Sequence, residues 1–127
     1  MHVWLVDDSE ADLYLMRRSV SRACPAARIT TFRCVADAIS RWRQQSPDCL
    51  FLDLNLGVGS GLDLVDVIDG APDRAPAINV VVSGVALPAE SRERLRTACV
   101  RWQVCKKPMR EQHVADVLAQ AGFISPR

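Results

Sequence analysis

The chain has 127 residues, of which 49% are apolar and 24% charged, with a formal net charge of +1. That length fits one domain able to bury its own core, and the near-neutral balance offers no electrostatic case for a nucleic acid or a membrane surface as partner. No apolar stretch approaches the roughly 18 residues of a membrane span, and acidic residues directly after the first short apolar run leave no signal-peptide pattern. Five cysteines (Cys24, Cys34, Cys49, Cys99, Cys105) form no C-x-x-C pair. They read as reduced residues of a cytoplasmic protein rather than a disulfide frame or a zinc site.

Short β-like runs alternate with longer amphipathic segments, without linker or repeat. Residues 2–6 predict a strand, and a helix follows from about Glu10 to Ala23, capped by Ser9 and stopped by Pro25. Within it Leu15, Met16 and Val20 suit a core, which leaves Leu13 and Tyr14 for the surface. Arg28-Ile29-Thr30-Thr31-Phe32 is strand-like, and Val35, Ala38, Ile39 and Trp42 recur at helical spacing over 35–45. A third strand covers 48–52; the turn Gly57-Val58-Gly59-Ser60-Gly61 then leads to a helix near 62–69. Pro72 and Pro76 bracket a loop before a fourth strand at 78–82. An arginine-rich helix is predicted from Pro88 to Cys99 and a fifth strand over about 101–105. Pro108 is suited to the first position of a last helix that stops before Gly122. Five such βα units predict a doubly wound α/β domain with a parallel sheet and helices on both faces. The polar second strand belongs at an edge, and the near-continuous apolar third and fourth strands belong at the centre. The whole of 1–127 is expected to be a single domain, with no output domain after it.

Each apolar strand except the second runs into a polar residue of a particular kind. The first ends on Asp7-Asp8, the third on Asp53, the fourth on Ser83, and the fifth on Lys106-Lys107-Pro108. In an open parallel sheet those ends share one edge, where ligands bind. Carboxylates gathered there within about 5 Å repel pairwise by about 3 kcal/mol at an effective dielectric near 20. Such a cluster raises one of its pKa values or binds a cation. All-oxygen ligands with few protein donors suit Mg²⁺, which keeps several waters and shares its shell with a phosphate. A nearby lysine and hydroxyl complete what a carboxylate nucleophile needs to accept a phosphoryl group.

These residues, over essentially the whole chain, resemble the receiver domain of two-component response regulators. "VDDSEAD" is similar to the family's acidic pair, "LFLDLNLGVGSGLDL" to its phosphorylation motif, "VVVSG" to its hydroxyl position and "CKKP" to its lysine motif. The resemblance implies a flavodoxin-like (βα)5 fold with strand order 2-1-3-4-5. It makes Asp53 the phosphoacceptor, Ser83 the switch hydroxyl and Lys107 the conserved-type lysine, whose bond to Pro108 is usually cis in the family. Mg²⁺ would be ligated by the side chains of Asp8 and Asp53 and the backbone carbonyl of Asn55, with Asp7 acting through bound water. The implied donor is a phosphohistidine on a sensor histidine kinase or a histidine phosphotransfer protein. The acyl phosphate would be hydrolysed partly by the domain itself, so the protein is a switch with autophosphatase activity and not a turnover enzyme. Its output would pass to an unknown downstream protein from a monomer or weak dimer, without direct contact to nucleic acid or membrane.

Three departures from the family pattern bear on switching. The turn after Asp53 holds Gly57 and Val58 in place of the usual proline and glycine, and glycine loses the most conformational freedom on ordering. Val104 replaces the aromatic that usually stands three residues before the lysine. The stretch from Ser83 to Lys107 is slightly longer than is typical and contains Pro88. The Val104 replacement and the altered Gly57-Val58 turn motivate an alternative, a phosphorylation-independent receiver-like binding module.

Taken singly, each motif has a plainer explanation. Asp7-Asp8-Ser9 could be capping and macrodipole compensation, Asp53 and Asn55 turn residues, and Lys107-Pro108 the start of a helix. Their joint occurrence at four strand ends is what points to a site. Trp4 and Trp42 read as packing residues. Trp102, near Arg92, Arg94, Arg96 and Arg101, is either an indole under a guanidinium or part of a docking face of the fourth helix, fifth strand and fifth helix. Leu13 and Tyr14 are candidates for contact with a kinase's helical bundle. His2 and His113 are assigned no role. A phosphatase with an aspartate nucleophile would need a D-x-D after the first strand, where this chain has Asp7-Asp8. A flavin site is disfavoured because Asp7, Asp8, Glu10 and Asp12 would repel a phosphate.

Overall fold

The computed structural model describes residues 1–55 and 60–125. The strands are β1 (His2–Val6), β2 (Arg28–Phe32), β3 (Cys49–Leu52), β4 (Ile78–Ser83) and β5 (Gln103–Lys106). They alternate with α1 (Glu10–Ala23), α2 (Val35–Trp42), α3 (Gly61–Asp69), α4 (Ala89–Arg96) and α5 (Glu111–Gln120), and a 3-10 turn spans Pro72–Arg74. The strands form one parallel sheet, as the alternation of elements predicts, in the order β2-β1-β3-β4-β5 that the resemblance implies. Gly57, Val58 and Gly59 of the expected glycine-rich turn lie outside the described residues. Among the described residues no helix is long and apolar enough to cross a membrane.

Strand periodicity builds two core layers. Trp4, Val6, Leu50, Leu52 and Val81 face one side, where Val35, Ala38 and Trp42 of α2 and Leu64, Val65 and Ile68 of α3 cover them. Val3, Leu5, Cys49, Phe51, Val80 and Val82 face the other, under Leu13, Met16 and Val20 of α1 and Val114, Ala115 and Leu118 of α5. Alternate residues of a strand point to opposite faces, so a strand covered by helices on both must be apolar throughout. All of β3 and β4 is buried, whereas β2 is largely exposed or half-buried at its edge.

The structure corrects several local expectations. The buried stripe of α1 is Leu13, Met16, Val20 and Ala23, a 3-4-3 spacing that keeps one face inward over three turns. Leu13 is therefore core, while Leu15, two residues and about 200° further round, is 45% exposed beside Tyr14 at 65%. Pro108 does not open α5. The Lys107–Pro108 bond is cis, and Met109 turns into the core, its carbonyl accepting from Ser19 Oγ at 2.9 Å. The helix starts only at Glu111, after Arg110. Helix α2 stops at Trp42 rather than at 45, with Gln44 and Gln45 turning back onto the Arg41 carbonyl. Helix α4 ends at Arg96, short of the expected Cys99, and β5 starts at Gln103 rather than 101. Thr97 Oγ1 donates to the Glu93 carbonyl, and Asp69 Oδ1 accepts from the amides of Cys99 and Val100. Those amides are thereby drawn off the helical ladder toward α3.

Candidate functional site

The four polar strand ends converge at the carboxyl edge of the sheet. Oxygen atoms of Asp7, Asp8 and Asp53 all lie within 4.8 Å of one another. Asp7 and Asp53 are buried and Asp8 is exposed, so the cluster opens on one side to solvent. Short backbone loops fix the two inner carboxylates. The Ser9 amide donates to Asp7 Oδ1 and the Asn55 amide to Asp53 Oδ1, each at 2.9 Å, the two-residue turn typical of aspartate.

Lys107 closes the cluster from the α1 side. Its ammonium donates to Asp12 Oδ2 at 2.8 Å and to Asp53 Oδ2 at 3.0 Å. It also stands 2.7 Å from Asp7 Oδ2, but the approach is not aligned for a hydrogen bond, so that oxygen has charge attraction without a directed donor. Burial favours the neutral amine, yet the contacts with Asp12, Asp7 and Asp53 outweigh it and raise the Lys107 pKa. The lysine is thus a fixed cation at neutral pH. Burial pushes the Asp7 carboxyl up, against the pull of Lys107 and the Ser9 amide, with the Asp53 charge adding to the rise. A raised carboxyl stabilises the fold below its unfolded-state pKa and loses that contribution as pH rises through the folded value. Ionising Asp7 in this buried position therefore costs stability, a cost that a cation relieves.

Ser83 ends β4 at the same edge of the sheet, and Asn55 follows Asp53 by two residues. Both line a cavity of about 310 Å³ together with Leu54, Val85, Leu87 and Pro88. The Ser83 hydroxyl is turned into its own loop, donating to the Val85 carbonyl at 2.6 Å and accepting from the Val85 amide at 3.3 Å. Val104, in the usual aromatic position, is 58% exposed.

Gly61 seats α3 against the backbone of Asp53 and Leu54. A Cβ there would fall 2.7 Å from both the Asp53 carbonyl oxygen and Leu54 Cα, so α3 can seat against that backbone only without a side chain. Its amide donates to the Leu54 carbonyl at 3.1 Å, and Ser60 caps the helix. Gly61→Ala is expected to destabilise the fold by about 1–3 kcal/mol through overpacking, as measured by urea denaturation.

Sequence reading missed Asp12 as a site residue, noting only that its charge would repel a phosphate. Its position five residues beyond Asp7, in the first turn of α1, was the available signal. Trp102 packs half-buried against the α2–α3 core layer. Among the described residues the cation–π contact is elsewhere, Arg74 lying 5.0 Å from the Trp42 ring centroid. Arg94 and Arg96 of α4 pair instead with Asp66, Asp69 and Glu93. His2 bonds Thr30 Oγ1 at 2.7 Å, and His113 Nδ1 lies 4.0 Å from Cys105 Sγ.

Three comparisons bear on this arrangement. A search of curated protein sequences returns no match. Among solved structures, the signal receiver domain of a DNA-binding response regulator protein (merR) from Colwellia psychrerythraea 34H superposes with a TM-score of 0.79. It is 19% identical, with 94% of this chain and 96% of that one covered. The CheY-like receiver domain from Methylobacillus flagellatus gives 0.75 at 22% identity, covering 95% and 98%. The phosphorylated cyanobacterial phytochrome response regulator RcpA gives 0.76 at 22%, covering 93% and 91%. At these identities the structures speak for the fold. The family model described as the response regulator receiver domain matches residues 3–118, a span that runs from within β1 into α5 and holds all four polar strand ends, and the chain belongs to that family.

Proposed function

We propose that this chain is a phosphorylation-controlled switch of two-component signalling, with Asp53 as phosphoacceptor. The observation that carries the reading is the convergence of Asp7, Asp8 and Asp53 within 4.8 Å, with the Lys107 ammonium 3.0 Å from Asp53 Oδ2. An Asp53 carboxylate oxygen attacks the phosphorus of a phosphohistidine on a sensor kinase or phosphotransfer protein. The P–N bond breaks, its electron pair stays on the imidazole nitrogen, and an acyl phosphate remains on Asp53. Lys107 offsets the incoming negative charge, and Ser83 must leave the Val85 carbonyl to donate to a phosphoryl oxygen.

The donor set fits Mg²⁺. It is all oxygen, it includes a buried carboxylate oxygen of Asp7 without a directed donor, and its opening at Asp8 admits water and phosphate. Asp8, Asp53 and the Asn55 carbonyl would hold the ion directly and Asp7 through water. When bound, the ion screens the carboxylates and the transferring phosphoryl oxygens. Autophosphatase activity follows from water reaching the acyl phosphate by the same opening. The protein would act in the cytoplasm and signal by protein contact. Tyr14 and Leu15, exposed on α1 beside a small cavity walled by Lys107 and Pro108, would meet the phosphodonor, in place of the Leu13 that packs inside.

Phosphotransfer from purified histidine kinases tests this directly. Label is expected on the wild-type chain in Mg²⁺, lost with chelator and absent from Asp53→Ala. Label that persists on that variant would place the acceptor elsewhere. One observation favours the phosphorylation-independent alternative: the Ser83 hydroxyl is committed to Val85 and no ring stands at Val104. A module of that kind would bind its partner equally well as Asp53→Ala.

A further inference from the structure

Lys107 contacts Asp7, Asp12 and Asp53, and of these Asp12 stands outside the acidic triad. Asp12 sits in the first turn of α1, its amide capped by Ser9 Oγ at 3.2 Å. Its Oδ2 accepts from the Lys107 ammonium at 2.8 Å, a contact spanning 95 residues of sequence. An ammonium has three protons. Asp12 and Asp53 accept two of them, and Asp7 Oδ2 stands 2.7 Å away, so carboxylates crowd the ammonium that would grip an arriving anion.

The three partners are unequal. The side chains of Asp7 and Asp53 are 0% and 10% exposed, whereas that of Asp12 is 36% exposed. Asp12 also borders the cavity of about 190 Å³ on the α1 side of the lysine, away from Asp8. It therefore draws the ammonium toward α1 and adds a negative charge close to where a phosphoryl group would settle.

Resting on the phosphoryl-accepting reading above, we infer that Asp12 is a positioning residue that restrains Lys107 and opposes binding of the phosphoryl group at Asp53. Removing its charge frees one ammonium proton for the anion and lowers the repulsion the anion meets. The same removal weakens attraction for a dication, because the cluster loses one negative charge and Lys107 moves closer to Asp7 and Asp53. A residue that only complements the α1 macrodipole would alter helix stability and leave both affinities alone.

The test is titration of the whole chain with Mg²⁺ alone and with fluoroberyllate in saturating Mg²⁺, followed by tryptophan fluorescence, for wild type, Asp12→Asn and Asp12→Glu. Asp12→Asn is expected to bind fluoroberyllate about three- to tenfold more tightly and Mg²⁺ about two- to threefold more weakly, the scale of one partly screened charge. Asp12→Glu should stay near wild type in both. Wild type that binds fluoroberyllate while Asp12→Asn shows an unchanged constant, or both constants moving the same way, overturns this inference and leaves the phosphoacceptor reading standing. Wild type that ignores fluoroberyllate in Mg²⁺ overturns the phosphoacceptor reading itself.

Discussion

Replacing Lys107 by alanine is expected to cut phosphoryl labelling of Asp53 by about 10²–10³-fold, the scale of losing one group that stabilises developing negative charge. A second effect needs no phosphodonor. Lys107 contacts Asp7, Asp12 and Asp53, and its removal takes away the ammonium charge that offsets their mutual repulsion. Breaking a buried ion pair from one side typically costs about 3–5 kcal/mol. Lys107 is 18% exposed, so solvent screens part of this, and about 2–4 kcal/mol is expected in chelator at neutral pH. Two conditions should shrink the deficit. Mg²⁺ supplies the missing positive charge, so unfolding midpoints in Mg²⁺ should lie close to wild type. Acid should do the same, because the Asp7 pKa, already raised by burial, rises further without the lysine, and protonation then relieves the repulsion as pH falls through it. A deficit equal in Mg²⁺ and in chelator would show that Lys107 acts through the packing of its stem instead of its charge.

Trp42→Ala is expected to cost about 3–5 kcal/mol in urea denaturation, the range for deleting a large buried aromatic. Helix α2 has eight residues and holds to the sheet through Val35, Ala38 and Trp42, so the indole is most of its apolar anchor. Its loss also removes the ring beneath Arg74, whose Nη2 donates to the Trp42 carbonyl at 2.7 Å. Arg74→Ala removes the ring contact and this hydrogen bond together and should cost about 1–2 kcal/mol, since each lies near about 0.5–1 kcal/mol at partly exposed sites. Equal losses for the two variants would mean that the guanidinium, and not the buried ring, secures α2.

The carboxylates at 7, 8 and 53 were legible in sequence because each follows an apolar run that reads as a buried strand, whereas Lys107 follows the half-exposed β5 and was legible through its Lys-Pro motif. Parallel strands of one sheet bring such positions to one edge whatever the intervening helices do. The rotation of α1 was not legible in the same way. Leu13 and Leu15 are equally apolar, and the choice between them depends on how Ser9 sets the helix on the sheet. Pro108 misled for a similar reason: its local preference for a helix start gave way to the burial of Met109. Asp12 looked like one more surface acid until α1 was placed against the end of β5.

The alternation of short apolar runs with amphipathic segments thus determined the doubly wound sheet, its polar edge strand and the identity of the polar residues at its carboxyl end, since these depend on residues adjacent in the chain. Only the tertiary structure decided which carboxylates Lys107 takes, where the Ser83 hydroxyl points and which face of α1 is buried. Those outcomes are set by side chains far apart in sequence competing for the same space and the same donors, and no local pattern encodes the result.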